Sequence, residues 1–217
     1  MTLKSLANAG FDGPRLFIDG ARDVRDYSEW ILPITCRFPA VSITANWILG
    51  MTELYVREPS ATRFAMFQDD LVVCKNLRAY LDSCSYPEAG YWNLYNVPEN
   101  ENASSGNAVG WYPSKQNGRG ALGLVFSREA LLTLLRQPTV MNRLQSSIGW
   151  KSVDGMIIDS LKKIGWVEYV HKPGLIQHIG KHSTLRNNFK AISSTFPGED
   201  FDPMQILCPG IEQTLNC

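Results

Sequence analysis

Short apolar runs that stop at acid or glycine alternate along this chain with longer stretches of helical period, and few folds accommodate that alternation. RLFIDG, residues 15 to 20, ends at Asp19-Gly20, and RFAMFQ, residues 63 to 68, ends at Asp69-Asp70. Between them ITANWILGMTELYVREP, residues 43 to 59, repeats apolar side chains at Ile43, Trp47 and Leu54 before Pro59 stops it, as an amphipathic helix does. Residues 2 to 9 read as a helix ahead of the Asp12-Gly13-Pro14 turn. Downstream, NLRAYLDSC reads as a helix, GYWNLYNV as a strand with an aromatic face, ALGLVFS as a strand, and REALLTLLRQP as a helix closed by Pro138. Residues 152 to 164 form a further helix, and WVEYVHKPGLIQHIG gives a short strand followed by an extended arm. This alternation implies a single α/β domain: a mixed, mostly parallel sheet flanked by helices, with ligands beyond the carboxyl ends of its strands.

Two segments fall outside the alternation. Residues 98 to 120 are rich in Gly, Asn and Ser and read as a long loop of the kind that carries function. From residue 187 the pattern weakens, so the expected organisation is a domain over residues 1 to 186 and a tail over 187 to 217, packed on the domain or extending from it.

At 217 residues and 44% hydrophobic, the chain can bury a core of its own. No apolar run approaches the ~18 residues of a membrane-spanning helix, and MTLKSLANAGF lacks the build of a signal peptide, so a cytoplasmic protein is expected. Five cysteines, odd in number and without a CxxC pair, argue against a disulfide framework or zinc knuckle. Residues 108 to 192 hold 12 Lys/Arg against 4 Asp/Glu, a basic half that suits an anionic ligand such as a diphosphate or nucleic acid, or else a solvated face.

Asp69 and Asp70 stand side by side at a strand end. Two carboxylates about 5 Å apart repel by roughly 3 kcal/mol at an effective dielectric of 20, which a cation or solvent must offset. An N-cap for the helix that follows would need one acid only, whereas a hard divalent cation bound with a phosphate ligand takes carboxylate oxygens at such a position.

In this order, TLKSLANAGFD, RLFIDG, ANWILGMTELY, FAMFQDD, GRGALGLVFSREAL, SVDGMIIDSL and KPGLIQHIGKHS resemble the nucleotide-sugar-dependent glycosyltransferases of the GT-A fold, over roughly residues 2 to 186. The resemblance implies that Gln68-Asp69-Asp70 is the acidic metal motif, with Asp70 on Mn²⁺ or Mg²⁺ and Asp69 on the ribose or a metal-bound water. It places Asp19 on the uracil ring, His178 on the metal or diphosphate, and Lys181 and His182 on phosphate oxygens. Asp154, at a helix start, becomes the general base that takes the acceptor proton, with Asp159 as its competitor and a helix cap as the plain alternative. Gly120 and Gly123 let the main chain approach the donor sugar or acceptor, or simply make a tight turn before a strand. The implied activity is inverting transfer from a UDP-sugar to a hydroxyl of a glycan, lipid, protein or hydroxymethylated base in phage DNA. A catalytically silent nucleotide- or glycan-binding module is the alternative.

Overall fold

The computed structural model describes residues 1–102, 109–145, 152–180 and 192–207. In chain order the first half comprises α1 (Thr2–Asn8), β1 (Leu16–Asp19), β2 (Ile34–Arg37), α2 (Ile43–Arg57), β3 (Arg63–Phe67), β4 (Leu71–Val73), α3 (Leu77–Ser83), β5 (Gly90–Asn93) and α4 (Pro98–Glu101). The second half comprises β6 (Gly110–Pro113), β7 (Gly123–Ser127), α5 (Arg128–Leu135), α6 (Pro138–Gln145), α7 (Val153–Leu161), β8 (Val167–Lys172), β9 (Ile176–His178) and α8 (Met204–Leu207). The loop expected over residues 98 to 120 therefore carries a helical turn and a strand. The helix expected to close at Pro138 ends at Leu135, and Pro138 itself opens α6, a first-turn position where its missing N–H leaves no bond unmade.

A five-stranded sheet, in the order β3-β7-β5-β8-β6, is joined by two ribbons, β1-β2 and β4-β9. The sheet is mixed and flanked by helices; among the described residues parallel pairing is confined to β1·β2 and β5·β8, and the remaining pairs are antiparallel. Period-two alternation divides its side chains between two cores. On one face Phe64, Tyr91, Leu124 and Phe126 pack with Trp47, Ile48 and Met51 of α2, Leu131 and Leu134 of α5, and Met156, Ile157 and Leu161 of α7. On the other, Trp92 and Val125 pack with Leu77, Tyr80 and Leu81 of α3 and with Leu71, Val73 and Ile176. Helices thus lie on both faces, and each fully buried Leu, Ile or Phe contributes about 1.5–3 kcal/mol.

Part of the expected tail packs on this body. Asn76 Nδ2 donates to Asp202 Oδ2 at 2.6 Å. Glu101 accepts from Ser193 Oγ at 2.7 Å, Ser194 Oγ at 2.6 Å and Thr195 N at 3.1 Å. Cys36, Cys74 and Cys84 are free thiols; Cys208 and Cys217 lie outside the described residues. Among the described residues no helix is long and apolar enough to cross a membrane.

His171, fully buried on β8, makes the fold sensitive to acid. Its Nδ1 lies 2.7 Å from the Pro173 carbonyl, which can only accept, so Nδ1 carries the proton and Nε2 accepts from the Tyr80 hydroxyl at 2.6 Å. Burial draws the imidazole down from 6.5 to about 4, against the Pro173 carbonyl, which favours the charged ring. Between those values the unfolded chain binds the extra proton, so the stabilisation is complete above pH 6.5 and lost as pH falls toward 4. At 1.36 kcal/mol per pH unit the loss is about 3 kcal/mol. Urea unfolding from pH 7 to 4 should show it, and His171→Gln should flatten the profile by a similar amount.

Candidate functional site

The acidic pair lies in the turn between β3 and β4, where the chain leaves the five-stranded sheet for the β4·β9 ribbon. In that ribbon Leu71 is the register partner of His178, so antiparallel pairing sets the imidazole beside the residue before Leu71. His178 Nε2 lies 2.7 Å from Asp70 Oδ2, and the Asp70 carbonyl accepts from Ile179 N at 2.9 Å. Asp70 Oδ1 is buried and has no hydrogen-bond partner among the described residues. Gly180 completes the cradle: a Cβ there would sit 2.8 Å from Asp70 Oδ2 and 2.9 Å from His178 Nε2, so a side chain at 180 would crowd the space in front of both.

Asp69 is exposed, and its carbonyl accepts from the Thr2 hydroxyl at 2.6 Å. Asp69, Asp70, His178 and Gly180 line one cleft of about 3120 Å³ together with Asp19, Gly118, Arg119, Gly120 and Asp154.

Asp154 lies in the first turn of α7, but the helix cap is Ser152, whose Oγ accepts from Gly155 N at 3.3 Å. Asp154 Oδ1 accepts from Gly155 N at 3.0 Å, and Oδ2 reaches out of the helix to accept from Gly120 N at 2.8 Å. Gly120 holds φ +86, and a Cβ there would fall 2.6 Å from Tyr95 Cδ1, so glycine alone fits the approach that makes this bond. Asp159, farther along α7, is not among the residues lining the cleft.

Two of the expected ligand-binding residues have structural tasks. The Asp19 carboxylate accepts from Val41 N at 2.7 Å and Ser42 N at 3.0 Å, pinning the loop that enters α2. Gly123 is buried at the start of β7, where a Cβ would meet Ile176 Cδ1 at 2.7 Å and Phe67 Cδ1 at 3.1 Å; close packing accounts for the glycine. Lys181 and His182 lie outside the described residues.

One group behind the cleft left no sequence signal. Glu168, 2% exposed on β8, accepts from Asn93 Nδ2 at 3.1 Å and from the Ser114 hydroxyl. Gln116 Nε2 donates to the Glu168 carbonyl at 2.9 Å, and its Oε1 accepts from Glu168 N at 3.0 Å. Burial pushes the Glu168 carboxyl up, partly offset by the Ser114 and Asn93 donors. Together these bonds tie the segment from Ser114 to Gln116 to the sheet, just ahead of the Gly118–Gly120 turn that meets Asp154.

Neither the protein-family models nor the curated proteins include a match to this chain.

Proposed function

We propose that this chain is a metal-dependent inverting glycosyltransferase with a GT-A-like fold, transferring a sugar from a UDP-sugar to an acceptor hydroxyl. The observation that carries the reading is the meeting of Asp70 and His178 at 2.7 Å, with Asp70 Oδ1 unpartnered among the described residues, in the cleft that Asp69 and Asp154 also line. Among the described residues no group of three or more His, Cys, Asp and Glu side chains gathers as a metal site. A two-ligand protein contribution suits Mn²⁺ or Mg²⁺ that arrives with a diphosphate, whose oxygens and waters complete the shell. Held by Asp70 and His178, the ion would neutralise charge on the departing diphosphate.

The chain's own residues supply the rest. Asp154 faces the cleft from a helix start and takes the acceptor proton, oriented by Gly120 N. Asp69, exposed on the same wall, is free to accept from ribose hydroxyls. One observation favours the second reading, a non-catalytic nucleotide- or glycan-binding module: both Asp154 oxygens already accept main-chain amides. The deciding experiment is UDP release from a panel of UDP-sugars with Mn²⁺, with Mg²⁺ and with a chelator. Metal-dependent release supports transfer chemistry. Metal-dependent UDP binding without release from any donor supports the module.

A further inference from the structure

Exposed apolar side chains are unevenly spread over this molecule. Among the described residues thirteen large ones are exposed, and six of them, Val24, Trp30, Ile31, Phe38, Val41 and Ile43, fall within residues 24 to 43. Single exposed apolar residues are ordinary, whereas a contiguous patch marks an interaction surface. Packing links these segments. The 3-10 helix over Val24–Trp30 lies against β2, the Tyr27 and Trp30 rings meet with centroids 5.3 Å apart, and the Arg22 guanidinium sits 4.5 Å from the centre of the Phe38 ring. The Asp19 carboxylate holds the amides of Val41 and Ser42, which fixes the stretch leading into α2.

This patch continues into the cleft. Tyr27, Trp30, Val41 and Ile43 line its wall. From Ile43 the apolar surface follows α2: Trp47, one turn on and on the same face, also lines the cleft, and it packs in one core cluster with Val153, the residue before Asp154. An apolar track thus leads from the outer surface to the wall that carries Asp154.

Charge narrows what such a track can take. Residues 22 to 30 hold two basic and three acidic side chains, net −1, and Arg25 is already paired with Asp23. Neither a polyanion such as DNA nor an anionic membrane is drawn to that balance. A neutral apolar group meets no such penalty, and it removes exposed aromatic and aliphatic surface from water.

We propose that the acceptor is a single amphiphilic molecule, a hydroxyl-bearing head joined to an uncharged alkyl or aryl tail, with the tail on Trp30, Val41 and Ile43 and the head at Asp154. This inference rests on the transfer reading. In that reaction the head's hydroxyl oxygen bonds to the anomeric carbon, its proton passes to Asp154, and the bond from the anomeric carbon to UDP breaks with its electron pair leaving on UDP. The tail takes no part in the bond changes. It binds equally in ground and transition states, so it sets acceptor affinity and leaves donor affinity alone.

The probes are butyl, hexyl and octyl glucosides, kept below their micelle concentrations and titrated by calorimetry without donor or metal. Affinity for the wild-type chain should rise about fourfold per added methylene, which is the ~0.8 kcal/mol of a buried CH₂ at 1.36 kcal/mol per decade. Trp30→Ser and Ile43→Ser, at two exposed positions, should each lower octyl binding about tenfold. Val56→Ser is the control, since Val56 is exposed on α2 and does not line the cleft; it should bind as wild type does. A flat series, or a slope that survives in both cleft variants, overturns the proposal. So does binding to phosphatidylcholine vesicles with none to the monomeric glucosides, which makes the patch a membrane-contact face. A wild-type dimer that either variant splits on sedimentation overturns it too, in favour of a second copy. UDP release with Mn²⁺ scores the transfer reading separately. Release with a flat series keeps transfer and removes the amphiphile, whereas tail-dependent binding without release from any donor supports the apolar surface and removes its acceptor role.

Discussion

Asp154→Asn is expected to lower sugar transfer by about 10²- to 10⁴-fold, the range for loss of a general base, with donor affinity nearly unchanged. The geometry sharpens this expectation. Ser152, not Asp154, caps α7, so the substitution leaves the cap in place. Asn can still accept from Gly120 N through its carbonyl oxygen, and the turn at Gly118–Gly120 keeps its anchor. What Asn lacks is the charge that accepts a proton. Turnover, donor KM and thermal midpoint should be measured for wild type, Asp154→Asn and Asp159→Asn. The Asp159 variant should retain transfer, because Asp159 does not line the cleft. Near-normal transfer by Asp154→Asn removes it as the base, and selective loss in Asp159→Asn moves the role there.

Asp70→Ala carries the second large expected effect. Loss of an outer partner of a metal ligand lowers metal affinity about 10- to 100-fold. Removal of the ligand itself should weaken Mn²⁺-dependent UDP binding by at least about 100-fold. His178→Ala should weaken it less and shift the preference from Mn²⁺ toward Mg²⁺, since an imidazole suits the softer ion. Calorimetric titration of UDP with each metal separates these outcomes. If Asp70 and His178 form only an ion pair with each other, both variants bind UDP as wild type does, and the metal assignment fails.

Much of the layering was legible because helical and strand periods differ. RLFIDG, ITANWILGMTELYVR and RFAMF each carry their own signal and form β1, α2 and β3. β2 did not: Ile34–Arg37 is short and sits between Pro33 and Pro39, where proline punctuation masks a strand. β6 was hidden for a different reason. Gly110–Pro113 lies at the sheet edge, next to a Gly- and Asn-rich stretch, and its place is set by pairing with β8 rather than by local preference. Strand direction was less legible than strand existence, since alternation of elements says nothing about how β7 runs against both β3 and β5.

In the site, the acids at the strand end could be read from local pattern alone. The contact between Asp70 and His178 could not, because it depends on the β4·β9 register. The task of Asp19 was equally hidden: its two acceptors meet the amides of Val41 and Ser42 only once β1 and β2 are paired. Glu168 gave no cue at all, as a lone acid in an otherwise alternating strand resembles a surface residue.

The meeting of Asp70 with His178 joins positions 108 apart in the chain. Contacts of such separation form slowly, after the intervening loop has been closed. A nascent chain that has exposed Asp70 but not yet His178 has half of this arrangement, and a state with the β4·β9 ribbon frayed has lost it. A ligand that needs both side chains therefore binds the folded ensemble and discriminates against partly folded forms. By mass action it would add about 2.7 kcal/mol of apparent stability at a hundred times its dissociation constant. Occupancy of the cleft and persistence of the native ribbon then become a single linked equilibrium.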